Sequence, residues 1–339
     1  MKDEGMATPS GNNKPMSWKS KATKQPETKL QTALEYLMTY SWALLIVAVI
    51  FVVLWQYGIF DPYFFTTKAF PGTCSVVRPG GSGSTAQISL AGECTDLIPE
   101  YTMQNRGPGD FVAIPNSEIP SSPLNITNSI TIAAWVEVLG SPYHDVVDKE
   151  DQYGMKLDYN NNPQTCEPGG QPGWCLEWDT SPLATGWIGE GYEIPGAAYG
   201  KWMFLAVAEQ INPGGATSTK YWYANGQLLG TESVTGALSY QDSNMMIGAE
   251  TPGYSGYGIA EWFNGSIADV QIYNASLSTA DIEALYLEGI GGLPIDLQNL
   301  IAWYPLNENT NDYSGNSGLD GNQANVFYTN TWYYGYTPP

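Results

Sequence analysis

The pattern of apolar and polar residues divides the chain into an apolar N-terminal segment and a long region of alternating character. From Tyr36 to Phe60 the chain has 25 consecutive residues without a charged side chain. At about 1.5 Å per residue, a helix of that length spans the roughly 30 Å hydrocarbon core of a bilayer. The pattern therefore predicts one transmembrane or filament-core helix over residues 31–60.

Beyond that helix, short runs of alternating apolar and polar residues recur between turn signals. Such alternation is typical of half-buried β-strands, and its spacing here predicts an all-β sandwich. The predicted strands are residues 110–114, 129–138, 153–158, 201–208, 220–226, 245–248 and 265–273. One further helix is predicted at 278–287, with Ser278 as its N-cap and Asp281 in a capping-box position.

The lysines in front of the apolar segment predict its orientation. Six of the thirteen Lys and Arg lie in residues 1–30, and the next basic residue is Lys68. Basic residues remain on the cytoplasmic side, so the bulk of the chain is expected outside the cell. Without residues 1–30, which hold six basic and three acidic residues, the formal charge of residues 31–339 is −24. So negative a surface excludes nucleic acid as a partner.

Gln31 and Glu35, four residues apart at the start of the apolar segment, resemble the class III signal of archaeal type IV pilin-like proteins. The stretch from Ala33 to Ala43 resembles the same family, although Leu30 stands where that pattern usually has Gly or Ala. The resemblance implies that a prepilin-type peptidase cleaves between Leu30 and Gln31, and that subunits self-associate through the N-terminal helix.

The carboxylate of Glu35 has a physical role in that interpretation. A charge inside an apolar helix is costly unless it finds a positive partner. Cleavage before Gln31 would create an α-amino group that Glu35 of a neighbouring subunit can neutralise. The alternative is an uncleaved membrane anchor, with Glu35 at the cytoplasmic interface.

Four cysteines, all beyond the apolar segment, form two pairs that are close in sequence. Cys74 with Cys94 and Cys166 with Cys175 are predicted disulfides of an exported protein. Neither pair has the Cys-x-x-Cys spacing of zinc or redox sites. The single histidine, His144, has no sequence partner for metal or triad chemistry.

Three Asn-x-Ser/Thr sequons are candidate glycan sites of an external domain. They begin at Asn125, Asn264 and Asn274. With the cysteine pairs, they favour a cell-surface location with the bulk of the chain extracellular.

The strands resemble, in order, the laminin-G-like (concanavalin A-like) jelly roll over residues 105–290. The resemblance is carried by residues 129–135, 200–207, 221–226 and 263–274 and by the closing helix. We expect Trp135 to lie between two sheets, and Asn225 and Gly226 to form a hairpin turn that uses positive φ. The stretch 267–272 should supply a late core strand.

This organisation divides the chain into five parts. They are a cytoplasmic leader that is cleaved (1–30), the pilin-like or transmembrane helix (31–60), a Gly/Ser/Pro-rich connector with a disulfide (61–104), the jelly roll (105–290) and a C-terminal segment (291–339).

The C-terminal segment looks like the part that normally opens a laminin-G-like domain. A jelly roll without its first strand would leave unpaired backbone groups at a sheet edge. Residues 299–306 are therefore expected to complete the sandwich. They can do so by circular permutation within one chain or by donation to a neighbouring subunit. The short linker 289–294 favours closure within one chain.

The fold class serves sugar binding, protein adhesion and, in some families, glycoside hydrolysis. Glucanases of this fold carry Glu-x-Asp-x-x-Glu on one strand. Here Glu177 and Asp179 are followed by Pro182 at the last position. The second glutamate that retaining hydrolysis requires is missing at that spacing, so no catalytic residue is predicted.

Aromatic residues cluster in one loop-rich stretch, where stacked rings could hold a sugar. The candidate ligand-binding residues are Trp174, Trp178, Trp187 and Tyr192. The alternative for each tryptophan is a place in the core of the sandwich.

An acidic loop offers oxygen ligands for Ca²⁺. Its candidate residues are Asp145, Asp148, Glu150 and Asp151. The alternative is a charged, solvated loop that holds no ion, and no other cofactor is predicted.

The sequence therefore predicts a surface adhesion or filament subunit, in which a pilin-like helix displays a carbohydrate- or protein-binding jelly roll. Its expected partner is a surface glycan or glycoprotein. The alternative is a singly anchored carbohydrate-binding or structural protein that does not polymerise.

Overall fold

The computed structural model describes residues 27–57, 68–94, 98–115, 119–140, 143–149, 152–160, 166, 173–180, 188–236, 238–240, 243–250 and 261–339. The chain forms two compact units, Met1–Phe64 and Phe65–Pro339.

In the first unit, helix α1 covers Glu27–Gln56 and is 30 residues long. Its stretch Met38–Gln56 has a mean hydropathy of 2.3, and none of that stretch is buried. A helix that is apolar on all sides has no polar face to present to water, so it needs an apolar environment. By length and composition, α1 can cross a membrane.

The second unit is built mainly of strands. In chain order they are β1 Lys68–Ala69, β2 Cys74–Val77, β3 Ser89–Gly92, β4 Ile98–Pro99, β5 Thr102–Asn105, β6 Phe111–Ile114, β7 Ile130–Val138, β8 Tyr143–Lys149, β9 Tyr153–Asn160 and β10 Gly173–Thr180. They continue with β11 Ile188–Glu193, β12 Trp202–Ile211, β13 Thr217–Ala224, β14 Gln227–Thr235, β15 Met245–Ile247, β16 Gly265–Tyr273, β17 Leu300–Tyr304, β18 Asn322–Ala324 and β19 Phe327–Thr329. A second helix, α2, covers Thr279–Glu288, and a 3-10 turn covers Trp332–Gly335.

Two antiparallel sheets form a jelly-roll sandwich. The seven-stranded sheet has the order β11-β10-β9-β8-β15-β6-β18. The eight-stranded sheet has the order β14-β13-β12-β7-β16-β5-β19, with β17 also paired to β16. Two small two-stranded sheets, β1 with β4 and β2 with β3, precede them. The all-β sandwich predicted from the alternating pattern is confirmed.

Alternation along β7 divides its side chains between two apolar cores. Ile132, Ala134 and Val136 belong to the core between the two sheets. Trp135 belongs to a second core, where its ring stacks on Tyr286 of α2 with 5.8 Å between centroids. The prediction that Trp135 lies between the sheets is therefore wrong. Successive residues of a strand point to opposite faces, and the neighbours of Trp135 occupy the inner one.

The hairpin between β13 and β14 has the predicted turn. Asn225 and Gly226 have φ values of 49° and 74°. A β-carbon at Gly226 would come within 2.8 Å of the Tyr286 ring, so this turn needs glycine for space as well as for backbone conformation.

A β-bulge explains the irregular apolar spacing of β16. Ile267, Val270 and Ile272 all point into the core between the sheets. Asp269 has a φ of 51°, and the pairing with β7 shifts register there. The extra residue changes the alternation, so that the apolar spacing becomes three and then two.

The C-terminal strand β17 joins the eight-stranded sheet. Val270 pairs with Tyr304 and Ile272 pairs with Ala302. The expected strand at 299–306 is thus present and pairs with β16, while the choice between closure within one chain and donation to a neighbouring subunit stays a prediction. β5 pairs with the other half of β16, so the last residues of the predicted connector also belong to the sandwich.

Helix α2 begins as the sequence predicts. The Ser278 hydroxyl accepts a hydrogen bond from the Asp281 N–H, and the Asp281 carboxylate accepts one from the Ser278 N–H. Ile282 and Leu285 are buried against the second core. This packing holds Tyr286 beside the end of the sandwich.

Candidate functional site

The residues of the proposed leader cleavage lie within α1. Leu30 and Gln31 are part of the helix, and Glu35 is exposed. The backbone carbonyl of Glu35 accepts a hydrogen bond from Thr39 Oγ1 at 2.8 Å, so this bond leaves the carboxylate uninvolved. Residues 1–26 lie outside the described part of the chain.

Both predicted disulfides are present. Cys74 pairs with Cys94, with 5.0 Å between their Cα atoms. Cys166 pairs with Cys175 of β10, with 6.0 Å between their Cα atoms. The first disulfide ties the β2–β3 hairpin, and the second tethers residue 166 to the seven-stranded sheet.

The three sequons differ in accessibility. Asn274 is exposed at the end of β16. Asn125 and Asn264 are half-buried, and the Asn125 side-chain amide donates to the Ile119 carbonyl. Of the three, Asn274 is the most exposed.

Two of the four aromatic candidates lie in the core between the sheets. Trp174 and Trp178 are 3% and 0% exposed, because their positions on β10 alternate towards the eight-stranded sheet. Their rings are therefore not available for stacking on a sugar, which corrects that part of the prediction. Trp187 lies outside the described residues. Tyr192 is half-buried and reaches a surface pocket.

The edge pocket, as we call it, lies where Tyr192 of β11, the β13–β14 hairpin and Tyr286 of α2 meet. Its volume is about 590 Å³, and its lining residues are Tyr192, Glu193, Pro195, Ala224, Asn225, Gln227, Leu228, Leu229 and Tyr286. Two aromatic rings and several aliphatic side chains thus stand beside a carboxylate and two amides.

Core contacts hold the two rings of the edge pocket in place. The Tyr192 ring packs on Trp222 with 4.8 Å between centroids, and its hydroxyl donates to the Thr231 carbonyl at 3.3 Å. The Tyr286 ring stacks on Trp135. Asn225 Oδ1 accepts from the Phe204 N–H at 3.0 Å, an arrangement that fixes the orientation of the Asn225 amide.

A cluster of charged side chains lies on the outer face of the seven-stranded sheet, away from the core. Lys156 Nζ is 2.9 Å from Glu261 Oε2 and 3.5 Å from both Asp145 Oδ1 and Asp179 Oδ2. Lys156 also pairs across the strands with Glu177 of β10. We call these five residues the outer-face cluster. A single cation, the Lys156 ammonium, thus lies within 3.5 Å of three carboxylates.

Burial and neighbouring charges shift the pKa values of Glu177, Asp145 and Lys156 in the outer-face cluster. It raises the pKa of Glu177 to about 7, with further repulsion from Asp179 and Asp158. Burial also raises the pKa of Asp145, which is only partly opposed by Lys156. Burial acts against the charge of Lys156, but the carboxylates outweigh it and raise the pKa of that amine.

Two of the four calcium candidates can be placed. Asp145 and Asp148 are buried on β8, and the Asp145 carboxylate faces Lys156. Glu150 and Asp151 lie outside the described residues. Within the described part of the chain, no group of three or more His, Cys, Asp or Glu is arranged to hold a metal ion.

Sequence reasoning missed several residues that organise these sites. Tyr286 lies on a helix whose apolar face gives no sign of a pocket, and Lys156 lies on a strand far in sequence from Glu261. Two buried polar residues were also missed: Arg78, which lies in the connector, and Asp269, which lies in the core strand β16. A single charged residue in a fully buried strand was the available signal for Asp269.

Comparisons with known proteins agree with this architecture. A family model described as the concanavalin A-like lectin/glucanases superfamily matches residues 107–283. A search of curated proteins gave no match.

Solved structures that resemble this chain are distant in sequence. A candidate carbohydrate binding protein from Bacteroides ovatus is 14% identical, with a TM-score of 0.51; the match covers 71% of this chain and 62% of that protein. A heptameric SAP-like pentraxin from Limulus polyphemus is 13% identical, with a TM-score of 0.40 and coverage of 75% and 93%. The CBM40 of the Ruminococcus gnavus IT-sialidase is 14% identical, with a TM-score of 0.38 and coverage of 55% and 97%.

Proposed function

The chain belongs to the concanavalin A-like lectin/glucanase superfamily, and on that premise we propose that its jelly roll binds glycans at the edge pocket without cleaving them. The observation that carries the proposal is the pairing of Tyr192 and Tyr286 with polar side chains in one open pocket. A sugar ring has an apolar face that packs on an aromatic ring, and its hydroxyls need hydrogen-bond partners.

The size and composition of the edge pocket support this proposal. Its volume of about 590 Å³ lies within the usual range for small-molecule sites. Glu193 and the Asn225 and Gln227 amides can exchange hydrogen bonds with hydroxyl groups. Since core contacts hold both tyrosine rings, a ligand would meet a preformed surface and little binding energy would be lost in ordering it.

Glycan binding can be tested with the full chain in a detergent that carries no sugar headgroup. We expect binding on a glycan array, and a loss of about two- to tenfold in affinity for Gln227→Ala, which removes one neutral hydrogen-bonding group. Gln227 is exposed, so this variant should fold normally. Thr235→Ala, at the far end of the same strand, is the matched control. Equal glycan binding by both variants would exclude the edge pocket as the glycan-binding site.

Glycoside hydrolysis is a second candidate function, favoured by one observation. Glu177 and Asp179 share the outer face of β10, and burial raises the pKa of Glu177 to about 7, a value suited to a general acid at neutral pH. The second glutamate of the Glu-x-Asp-x-x-Glu pattern is missing, because Pro182 occupies its position. We therefore expect no release of reducing sugar. Release that Glu177→Gln abolishes would establish hydrolysis.

We further propose that α1 acts as an archaeal type IV pilin-like filament helix, cleaved before Gln31, and that the protein is a surface adhesin. The support is the Gln31–Glu35 spacing at the start of an apolar, unburied helix. N-terminal sequencing of protein from cells should begin at Gln31. Glu35→Ala should block assembly, and Thr39→Ala should not. Chains that keep Met1 and display normally with Glu35→Ala would instead indicate a single, non-polymerising anchor.

A further inference from the structure

A second cavity, which we call the Asp269 cavity, lies beside the second core, where Ile290, Trp303 and Tyr313 line it. Its volume is about 50 Å³, enough for a small functional group but not for a sugar. Its walls come from the connector, the loop after α2 and the residues that follow β17. It shares no lining residue with the edge pocket.

Asp269 lies in the wall of this cavity, held in a fixed orientation. Its Oδ1 accepts from Trp303 Nε1 at 2.8 Å, and its Oδ2 accepts from Gln271 Nε2 at 2.9 Å. Gln271 is itself held, because its Oε1 accepts from the Tyr273 hydroxyl at 2.6 Å. Each carboxylate oxygen has one donor and can accept at least one more hydrogen bond.

The charge of Asp269 has no cation to balance it among the described residues. The ion pairs of those residues join Lys156 to carboxylates of the outer-face cluster and do not include Asp269. The nearby charge that acts on Asp269, that of Glu288, is also negative. A second carboxylate, Glu93, is exposed and lines the same cavity. Buried charges in proteins are normally paired, so this wall favours a positive occupant.

Aromatic rings complete the lining. Phe70, Trp303 and Tyr313 all contribute to the cavity, and the rings of Trp303 and Tyr313 meet edge to face with 6.3 Å between centroids. Aromatic faces attract cations. Rings combined with carboxylates form the chemistry that recognises an alkylammonium group.

We propose that the Asp269 cavity binds a protonated primary amine, the end of a lysine side chain from a partner protein. A primary ammonium carries N–H donors for the free lone pairs of Asp269, whereas a quaternary ammonium carries none. The small volume admits the amine and its adjoining methylenes, while Phe70, which is 63% exposed, can cover the rest of the side chain. The proposal does not depend on glycan binding.

The test uses n-butylammonium chloride, a minimal lysine side chain, with the full chain in detergent. Calorimetric titration at pH 8, with potassium chloride at equal ionic strength as the reference, should detect binding. Asp269→Asn should weaken it by about tenfold or more, because hydrogen bonds to a charged group are lost. Glu283→Gln, an equal charge change on the exposed face of α2, should leave it unchanged.

Two further variants test amine binding at the Asp269 cavity if Asp269→Asn does not fold. Phe70→Ala and Glu93→Gln alter exposed side chains of the cavity, and Phe70→Ala should lower affinity by about two- to fivefold. Unchanged affinity in both would overturn the proposal, as would no binding above the salt reference. Tetramethylammonium binding as tightly as n-butylammonium would overturn the assignment to a primary amine.

Discussion

Replacing Arg78 by methionine should destabilise the sandwich far more than the same change at Arg106. Arg78 is 8% exposed, and its guanidinium donates to four backbone carbonyls. The acceptors are Ser314 at 2.9 Å, Ser84 at 3.0 Å, Leu297 at 2.9 Å and Leu300 at 2.7 Å. The Arg78 side chain therefore connects the β2–β3 region to the start of β17 and to the loop that follows β17.

The magnitude follows from the two acceptors that are buried, the Ser314 and Leu300 carbonyls. A hydrogen bond to a charged group contributes about 1.5–3 kcal/mol, so losing two costs about 3–6 kcal/mol. Methionine keeps part of the packing of the aliphatic arginine stem, and folding of the variant no longer requires a charge to be desolvated. We expect a net loss of about 3 kcal/mol in the free energy of unfolding.

Arg106 is the matched control. It is exposed, stacks over the Phe327 ring at 4.0 Å and donates to Gln104 Oε1 at 2.9 Å. Contacts of this kind at the surface contribute about 0.5–1 kcal/mol. Urea unfolding of the full chain in detergent, followed by tryptophan fluorescence, measures both variants. If Arg78→Met cost no more than Arg106→Met, the bridging role of Arg78 would be refuted.

Three further predictions concern the C-terminus, the pH dependence and the sequons. Truncation after Gly292 removes β17 and its buried side chains, a loss of more than about 5 kcal/mol, so the outer unit should unfold or aggregate; a truncated chain of unchanged melting temperature would contradict this. Burial raises the pKa of Asp269 from 3.8 to about 7, so the folded state binds this proton more tightly than the unfolded chain. Stability should therefore rise by up to about 4 kcal/mol as the pH falls from about 7 to about 4, and Asp269→Asn should flatten that part of the unfolding profile, whereas an identical profile would refute the assignment. In glycosylating cells, peptide mapping should find a glycan at Asn274 rather than at Asn125 or Asn264, and the reverse occupancy would contradict the exposure argument.

Much of the fold could be predicted from the sequence because its signals are local. Alternating residues in 129–138 and 265–273 predicted β7 and β16, and Ser278 with Asp281 predicted the start of α2. Two cysteine pairs close in sequence predicted both disulfides. Each of these features depends on residues that are neighbours along the chain.

The site could be predicted only in part, because alternation shows that a strand has two faces but not which face is covered. Trp135 was expected between the sheets and lies outside them, while Trp174 and Trp178 are in the core. Of the four aromatic candidates, only Tyr192 is among the described residues that line the edge pocket.

What the sequence determined by itself was part of the list of elements: an apolar helix, seven of the strands of the sandwich and the C-terminal strand at 299–306, one capped helix and the cysteine pairs. Tertiary structure alone decided which distant residues meet. Lys156 reaches Glu261 across 105 residues, and Arg78 reaches Leu300 across 222. The bulge at Asp269 turns a carboxylate from a core strand towards Trp303. Such contacts depend on strand order and register, which arise from the packing of the whole sandwich and leave no periodic trace in the sequence.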